Sequence, residues 1–227
     1  MKKLLFLSFF ALAGAIVARA DSKSARTSLV ERVETCEAIL QEFQNRPETA
    51  IPAAVWQKAR GVMIVNQFKA GFVLGVKGGY GVIMVKKADG RWSLPVLVNA
   101  GEASLGFQVG ANATETIYIL TNDTTPRLLF NQRVNIGVDA KAVAGPKAAE
   151  AETNNREILA TPVLVYSKAR GLYAGATVKA GYVSRNDDAN FTLYHTKYSL
   201  PELLYSDWVD PVPEVKPLMD LVKKFAP

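Results

Sequence analysis

Residues 58–73, KARGVMIVNQFKAGFV, return 110 positions later as residues 168–183, KARGLYAGATVKAGYV. Eight of the sixteen aligned positions are identical without a gap. At average residue frequencies about one identity would arise by chance. The match predicts two equivalent supersecondary units in one fold, with strands following Gly61 and Gly171 and those glycines in matching backbone conformations. Lys58, Arg60 and Lys69 of the first copy correspond to Lys168, Arg170 and Lys179 of the second. Structural equivalence would therefore create two related basic clusters.

The sequence after the first copy, GFVLGVKGGYGVIMVKKADGRWSLPVLVNAGEASLGFQVG, carries a Gly-rich segment, a Trp92-Ser93-x-Pro95 turn and a Leu105-Gly106-Phe107-Gln108-Val109-Gly110 strand. Further on come Gly137-Val138-Asp139-Ala140, Ala144-Gly145-Pro146, the tract from Tyr166 to Gly175 and Asp188-Ala189-Asn190 before Tyr194. In this order and spacing the motifs resemble the SYLF domain family, over roughly residues 56–204. The resemblance implies a lipid-binding module. Eukaryotic SYLF domains bind phosphoinositide membranes, and some bind actin filaments.

The first twenty residues, MKKLLFLSFFALAGAIVARA, read as a secretory signal peptide. Lys2 and Lys3 form a basic start, residues 4–17 an apolar run short for a bilayer span, and Ala18-Arg19-Ala20 a small-x-small cleavage site. The expected division is therefore a signal peptide at 1–20, an amphipathic helix within 21–50 and a SYLF-like domain over 51–227, in a periplasmic or secreted protein. The whole chain carries a formal charge of +6. Cleavage removes three of its 27 basic residues and none of its 21 acidic ones, leaving +3. That balance favours anionic surfaces weakly and gives no sign of nucleic-acid binding. Cys36 is the only cysteine, so no internal disulfide or Cys-rich zinc site is expected.

Ser28-x-x-Glu31 forms a capping box, and Leu29, Val33, Cys36, Leu40 and Phe43 recur at helical spacing before Pro47. From 28 to 46 the helix carries Arg32 and Arg46 against four glutamates. A helix lying on anionic lipid should instead carry excess cations. The stripe is thus expected to pack on the chain's own sheet or on a partner helix, with Cys36 as a buried thiol or an intermolecular disulfide. Strands are expected at 62–65, 72–76, 80–86, 92–98, 104–111, 134–142, 161–166, 172–177, 181–185 and 190–196. Asp89-Gly90 marks a hairpin turn, and Pro217 suits the first turn of a C-terminal helix bearing Leu218, Val222 and Phe225 on one face. The fold class is α+β, a mainly antiparallel β core with an internal repeat, covered by N-terminal and C-terminal helices.

His195, the sole histidine, falls on an alternating strand in this reading and lacks a nucleophile motif beside it. Gly75-Val76-Lys77-Gly78-Gly79-Tyr80-Gly81 matches no phosphate-loop spacing, so its glycines are assigned to a tight hairpin. Asp187-Asp188-x-Asn190 lacks the remaining ligands of a calcium loop and is assigned to a turn capping the next strand. No catalytic group, metal site or cofactor is expected. The candidate lipid-binding residues are Lys58, Arg60, Lys69, Lys168, Arg170 and Lys179, with Trp56 as a possible inserted group. They would recognise anionic phospholipid headgroups on a membrane surface. The alternative is a structural or assembly protein that binds a protein partner through its helix stripe.

Processing after Ala20 is testable by intact mass. Exported protein should start at Asp21, and a full-length chain in the soluble exported fraction would refute the assignment.

Overall fold

This computed structural model describes residues 4–70, 76–103, 113–131, 133–146, 156–169, 172–173 and 181–227, with side chains placed for 24–68, 78–101, 114–131, 133–146, 157–168 and 181–227. Among them nine strands form one sheet: β1 (Gly61–Ala70), β2 (Val76–Val85), β3 (Val96–Ala103), β4 (Ala113–Leu120), β5 (Arg133–Ile136), β6 (Ala142–Ala144), β7 (Val163–Ala169), β8 (Leu172–Tyr173) and β9 (Gly181–Arg185). Their order is β5-β9-β3-β2-β1-β4-β7-β6, with β8 folded back on β7. Every pairing is antiparallel except β6 with β7. The helices are α1 (Leu4–Asn45), α2 (Ala53–Trp56), α3 (Arg156–Leu159), α4 (Asp187–Tyr194), α5 (Leu200–Tyr205) and α6 (Lys216–Phe225), with 3-10 turns at Thr125–Asn131 and Pro213–Val215. This is the expected α+β arrangement.

The central strands are apolar on both faces: Val62, Met63, Ile64 and Val65 are all buried, as are Val82, Ile83, Met84 and Val85. Each face needs its own cover. On one face the sheet curls upon itself. Val134 and Ile136 of β5, four strands from β1, meet Met63, Ile83 and Leu120 around a residual void of about 10 Å³, which Leu129 of the 3-10 turn helps to close. On the other face lies α1. Its predicted stripe, Leu29, Val33, Cys36, Leu40 and Phe43, is entirely buried. Helices α4 and α6 flank it. The stripe is thus occupied by the chain's own sheet and is not free to bind a partner.

Several local expectations give way. The two repeat copies are both followed by strands, β1 after Arg60 and β8 at Leu172–Tyr173, but their described opening residues differ. Lys58, Ala59 and Arg60 form the turn that leads from α2 into β1, whereas Lys168 and Ala169 end β7 and pair with Tyr173 and Leu172 of β8. The same Lys-Ala pair precedes a strand in one copy and ends a strand in the other. Gly61 is an ordinary strand residue without positive φ, and Gly171 lies outside the described residues. Gly79 and Gly81 sit inside β2 rather than in a loop. A Cβ at Gly81 would come 2.2 Å from the Ile64 carbonyl oxygen, and one at Gly79 would come 2.5 Å from that of Asn66. Their bare backbones permit β1 and β2 to press together. The expected strand at 134–142 breaks after Ile136, where Gly137 takes φ +90° and the Asp139 carboxylate accepts the Asn135 amide at 2.7 Å.

Residues 190–196, expected as a strand, belong mostly to α4. The Asn186 side chain caps it by accepting the Ala189 amide, and Asp187 and Asp188 fill its first turn, where carboxylates are favourable. His195 is not on a strand but caps the helix C-terminus in the left-handed region, φ 51°. Asn190 shows why helix wins here. Its fully buried amide accepts the Leu97 N–H at 2.8 Å and donates to the Leu97 carbonyl at 3.0 Å, docking α4 against β3. Strand β4 carries no alternating pattern in the sequence, because Ile117–Leu120 are buried on both faces. The Asp89-Gly90 hairpin forms as expected. Lys87 and Arg91 close it, with Gly90 at φ +85°. The expected strand at 104–111 lies outside the described residues.

Cys36 donates its thiol toward the Ile64 carbonyl oxygen at 3.6 Å. Burial pushes its pKa up to about 12, against a smaller opposing hydrogen bond from the Val82 backbone. In native protein at neutral pH the thiol should therefore resist alkylation and react only on denaturation. Stoichiometric labelling without denaturant would show that α1 is not seated as described.

Candidate binding surfaces

The long strands give the sheet two ends, and the expected basic residues divide between them. Lys58 and Arg60 stand at the start of β1, Lys69 near its finish. Eight residues of extended chain separate Gly61 from Lys69, about 27 Å. Lys58 and Arg60 therefore stand at the opposite end of β1 from Lys69 and do not cluster with it. The side chain of Lys69, and Arg170 and Lys179 altogether, lie outside what the structure describes.

Lys168 has a structural place. The register carries one row across the sheet through Arg133, Ser184, Asn99, Tyr80, Asn66, Glu115 and Lys168, so these residues share the face that α1 covers. Lys168 is only 4% exposed. Its ammonium lies 2.5 Å from Glu42 of α1 and 2.8 Å from Glu115 of β4, and 5.8 Å from the centre of the Phe43 ring. Burial pulls its pKa down, but the bonds to Glu115 and Glu42 outweigh this and leave it raised. This lysine fastens α1 to the sheet and cannot also meet a headgroup. Further along α1, Arg32 lies over the ring of Tyr80 in the same row, 5.2 Å from its centre. Nearer the middle of α1, Arg26 pairs with Glu214 at 2.8 Å.

The other end is built differently. Arg60 is exposed and grips Asp123 with two bonds, 3.0 and 3.1 Å, while its backbone joins the ends of β4 and β2 through Leu120 and Lys86. The bond to Asp123 raises the guanidinium pKa further above its ordinary value. Trp56 is buried rather than available for insertion. It stacks on Phe225 of α6 with ring centres 5.9 Å apart. That stack brings Lys58, two residues beyond Trp56, to the same end as Lys223 and Lys224. Lys86 completes the group, its ammonium on the Pro227 carbonyl oxygen. Lys58 and Lys223 are exposed and have no acidic partner among the described residues.

Beside this group the β2–β3 hairpin faces the chain between α5 and α6 across a cleft of about 560 Å³. Trp92 and Met219 contribute its apolar lining, and Lys87, Arg91 and Lys223 its cations. Asp207 is clamped from two sides, by Lys87 and by Arg91 at 2.7 Å. Those bonds hold the Asp207 carboxyl below the usual carboxylate range, so the clamp persists into mild acid. Sequence reasoning passed over Lys86, Lys87 and Arg91. The available signal was three cations flanking a recognised hairpin turn.

Residues 101–225 match the family described as Ysc84, Las17-binding protein actin regulator. The chain belongs to this family, whose domain is the SYLF domain. It is similar to the human SH3 domain-containing YSC84-like protein 1, with 26% identity over 205 residues, 88% of this chain and 60% of that protein. It is similar also to LAS seventeen-binding protein 3 of Saccharomyces cerevisiae, with 30% identity over 182 residues, 79% of this chain and 39% of that protein. This SYLF chain therefore spans about 60% of the length of its mammalian relatives and less of the yeast protein.

The Lys168 contacts can be checked by folding energetics. Breaking a buried pair by removing one partner costs about 3–5 kcal/mol. Glu42 is 38% exposed, so solvent screening reduces this. Lys168→Gln should destabilise by about 2 kcal/mol in urea titration. Glu42 has its pKa lowered, chiefly by the Lys168 bond. Its stabilising effect is complete above the unfolded carboxylate value, about 4.3, and fades as pH falls through the lower folded value. Glu42→Gln should accordingly lower stability at neutral pH and flatten the acid limb. A Lys168→Gln protein as stable as the parent would show that the triad does not hold the helix.

Proposed function

We propose that this SYLF protein is a non-catalytic module that docks reversibly on anionic phospholipid surfaces through the basic end of its sheet. The observation that carries this is the convergence of Lys58, Lys86, Lys223 and Lys224 around the Trp56–Phe225 stack. Four cations near an anionic bilayer contribute about 1 kcal/mol each, which corresponds to roughly millimolar affinity. The attraction is reversible and salt-sensitive. It suits a peripheral protein.

We propose the periplasm or the cell exterior as its setting, a reading that the signal-like start supports; there phosphatidylglycerol, cardiolipin or lipopolysaccharide would present the anionic groups. In the eukaryotic setting that the family resemblance evokes, phosphoinositides would do so. A protein partner is the second reading, favoured by the family's description as a Las17-binding actin regulator. Such a partner would have to use a surface other than the α1 stripe, which is buried.

Flotation with vesicles of graded phosphatidylglycerol content tests the proposal. Lys58→Glu and Lys224→Glu should each weaken binding by about 1 kcal/mol or more, and added salt should weaken it too. Removing the Arg32 charge should matter far less, since Arg32 lies over Tyr80 on the α1 face. Binding indifferent to both reversals and to salt would sink the choice of surface. Absence of binding, with specific capture of a protein, would favour the second reading.

A further inference from the structure

The chain has three tryptophans, and two of them are buried. Trp56 stacks on Phe225, and Trp92 donates its indole N–H to the Ala226 carbonyl oxygen at 2.7 Å. Trp208 is different, with 66% of its surface exposed. Its one aromatic neighbour among the described residues is Tyr198, itself 39% exposed, with ring centres 5.0 Å apart and planes tilted by 49°. A protein that needed Trp208 only for folding would bury it, because an exposed indole leaves a large apolar area in water.

The loop that carries Trp208 is held firmly. Asp207, its immediate neighbour, is the carboxylate that Lys87 and Arg91 clamp. The Ser206 hydroxyl accepts the Trp208 backbone N–H at 3.3 Å and donates to the Glu202 carbonyl oxygen at 2.7 Å. The aromatic pair is therefore presented by a pinned turn. The clamp also fixes where it is presented. Lys87 and Arg91 close the hairpin at the end of β2, the same end of the sheet that bears Lys58, Lys86 and Lys224. The charges lining the adjacent cleft nearly cancel, since Lys87, Arg91 and Lys223 stand against Asp89, Asp207, Asp210 and Asp220. The positive excess comes from Lys58, Lys86 and Lys224, and from Lys197 next to Tyr198.

Indole and phenol rings have an apolar body and a polar edge, and they concentrate at the headgroup level of bilayers. Lysines beside them reach the phosphates of the same interface. We propose that Trp208 and Tyr198 form an interfacial wedge that enters the headgroup region of an anionic bilayer when the basic end of the sheet docks. This rests on the membrane-docking function proposed above and supplies what charge alone lacks. Four lysines give only weak attraction, and a rigidly offered aromatic pair adds apolar burial and a fixed orientation. The protein would sit with its sheet end on the membrane and α1 held away from it against the sheet.

The test uses the full chain with vesicles of equimolar phosphatidylcholine and phosphatidylglycerol, with and without brominated acyl chains. Co-flotation reports docking, and bromine quenching of tryptophan emission reports insertion. Comparison with Trp208→Phe assigns the quenched emission to Trp208, since the other two indoles are buried. The expected result is co-flotation with quenching that vanishes in Trp208→Phe. In addition, Trp208→Ala should lose about tenfold or more in vesicle affinity. Its circular dichroism and melting temperature should match the parent, because the side chain is exposed. Co-flotation without quenching of Trp208 would overturn the wedge while leaving docking through the lysines intact. It would also be the outcome if the pair served a protein partner instead. Failure of the parent chain to float would overturn docking and wedge together.

Discussion

A sheet whose central strands are apolar on both faces must be covered twice, and most of this structure follows from that. Curling satisfies one face, with β5 and a 3-10 turn closing over β1 and β2. The other face needs a long apolar stripe, which α1 provides. Because the stripe runs over a row that turns polar toward one end of the sheet, the helix also needs charged fasteners. Lys168 meets Glu42 and Glu115, and Arg32 meets Tyr80. Once both faces are covered, the sheet ends and the connecting turns are the surfaces left for recognition. That is where the exposed lysines and the exposed tryptophan are found.

The sequence displayed some of this directly. The stripe from Leu29 to Phe43 has a single period and a single role, so its burial was legible, including that of Cys36. The Asp89-Gly90 turn and the α6 face of Leu218 and Val222 were legible for the same reason. The repeat misled because sequence identity does not fix the hydrogen-bonding partners of a backbone. In the first copy the backbone of Arg60 is bound by two neighbouring strands, and in the second Ala169 ends β7 and pairs with Leu172 of β8. Lys168 misled in a related way. Only tertiary structure brings Glu42 and Glu115, 126 and 53 residues away, to one ammonium. Residues 190–196 alternate well enough for a strand, but the cap at Asn186 and the bonds from Asn190 to β3 favour a helix.

Membership of the SYLF family and the placement of charge work at different levels. Membership accounts for the fold and for the order of the short motifs. It does not say which surface of this chain is used, because the relatives are longer proteins. Placement does bear on that. Of the six basic residues the sequence nominated, Lys58 and Arg60 lie at the end where other cations gather, and Lys168 is enclosed. Arg60 is itself neutralised by Asp123, so its neighbours supply the net charge there.

The outermost strands of the sheet path are also its shortest. β5 has four residues and β6 three, while the ten-residue strands β1 and β2 are flanked on both sides. Where β9 stops pairing with β3, the side chain of Asn190 takes up the next backbone pair at Leu97. If the proposed docking holds, copies gathered on a membrane would be crowded in two dimensions. Long open edges under those conditions would invite strand-to-strand polymerisation. Among the described residues the four-residue β5 and three-residue β6 offer a neighbour only a few unpaired backbone groups, so the margins of this sheet are poor templates for strand pairing between copies.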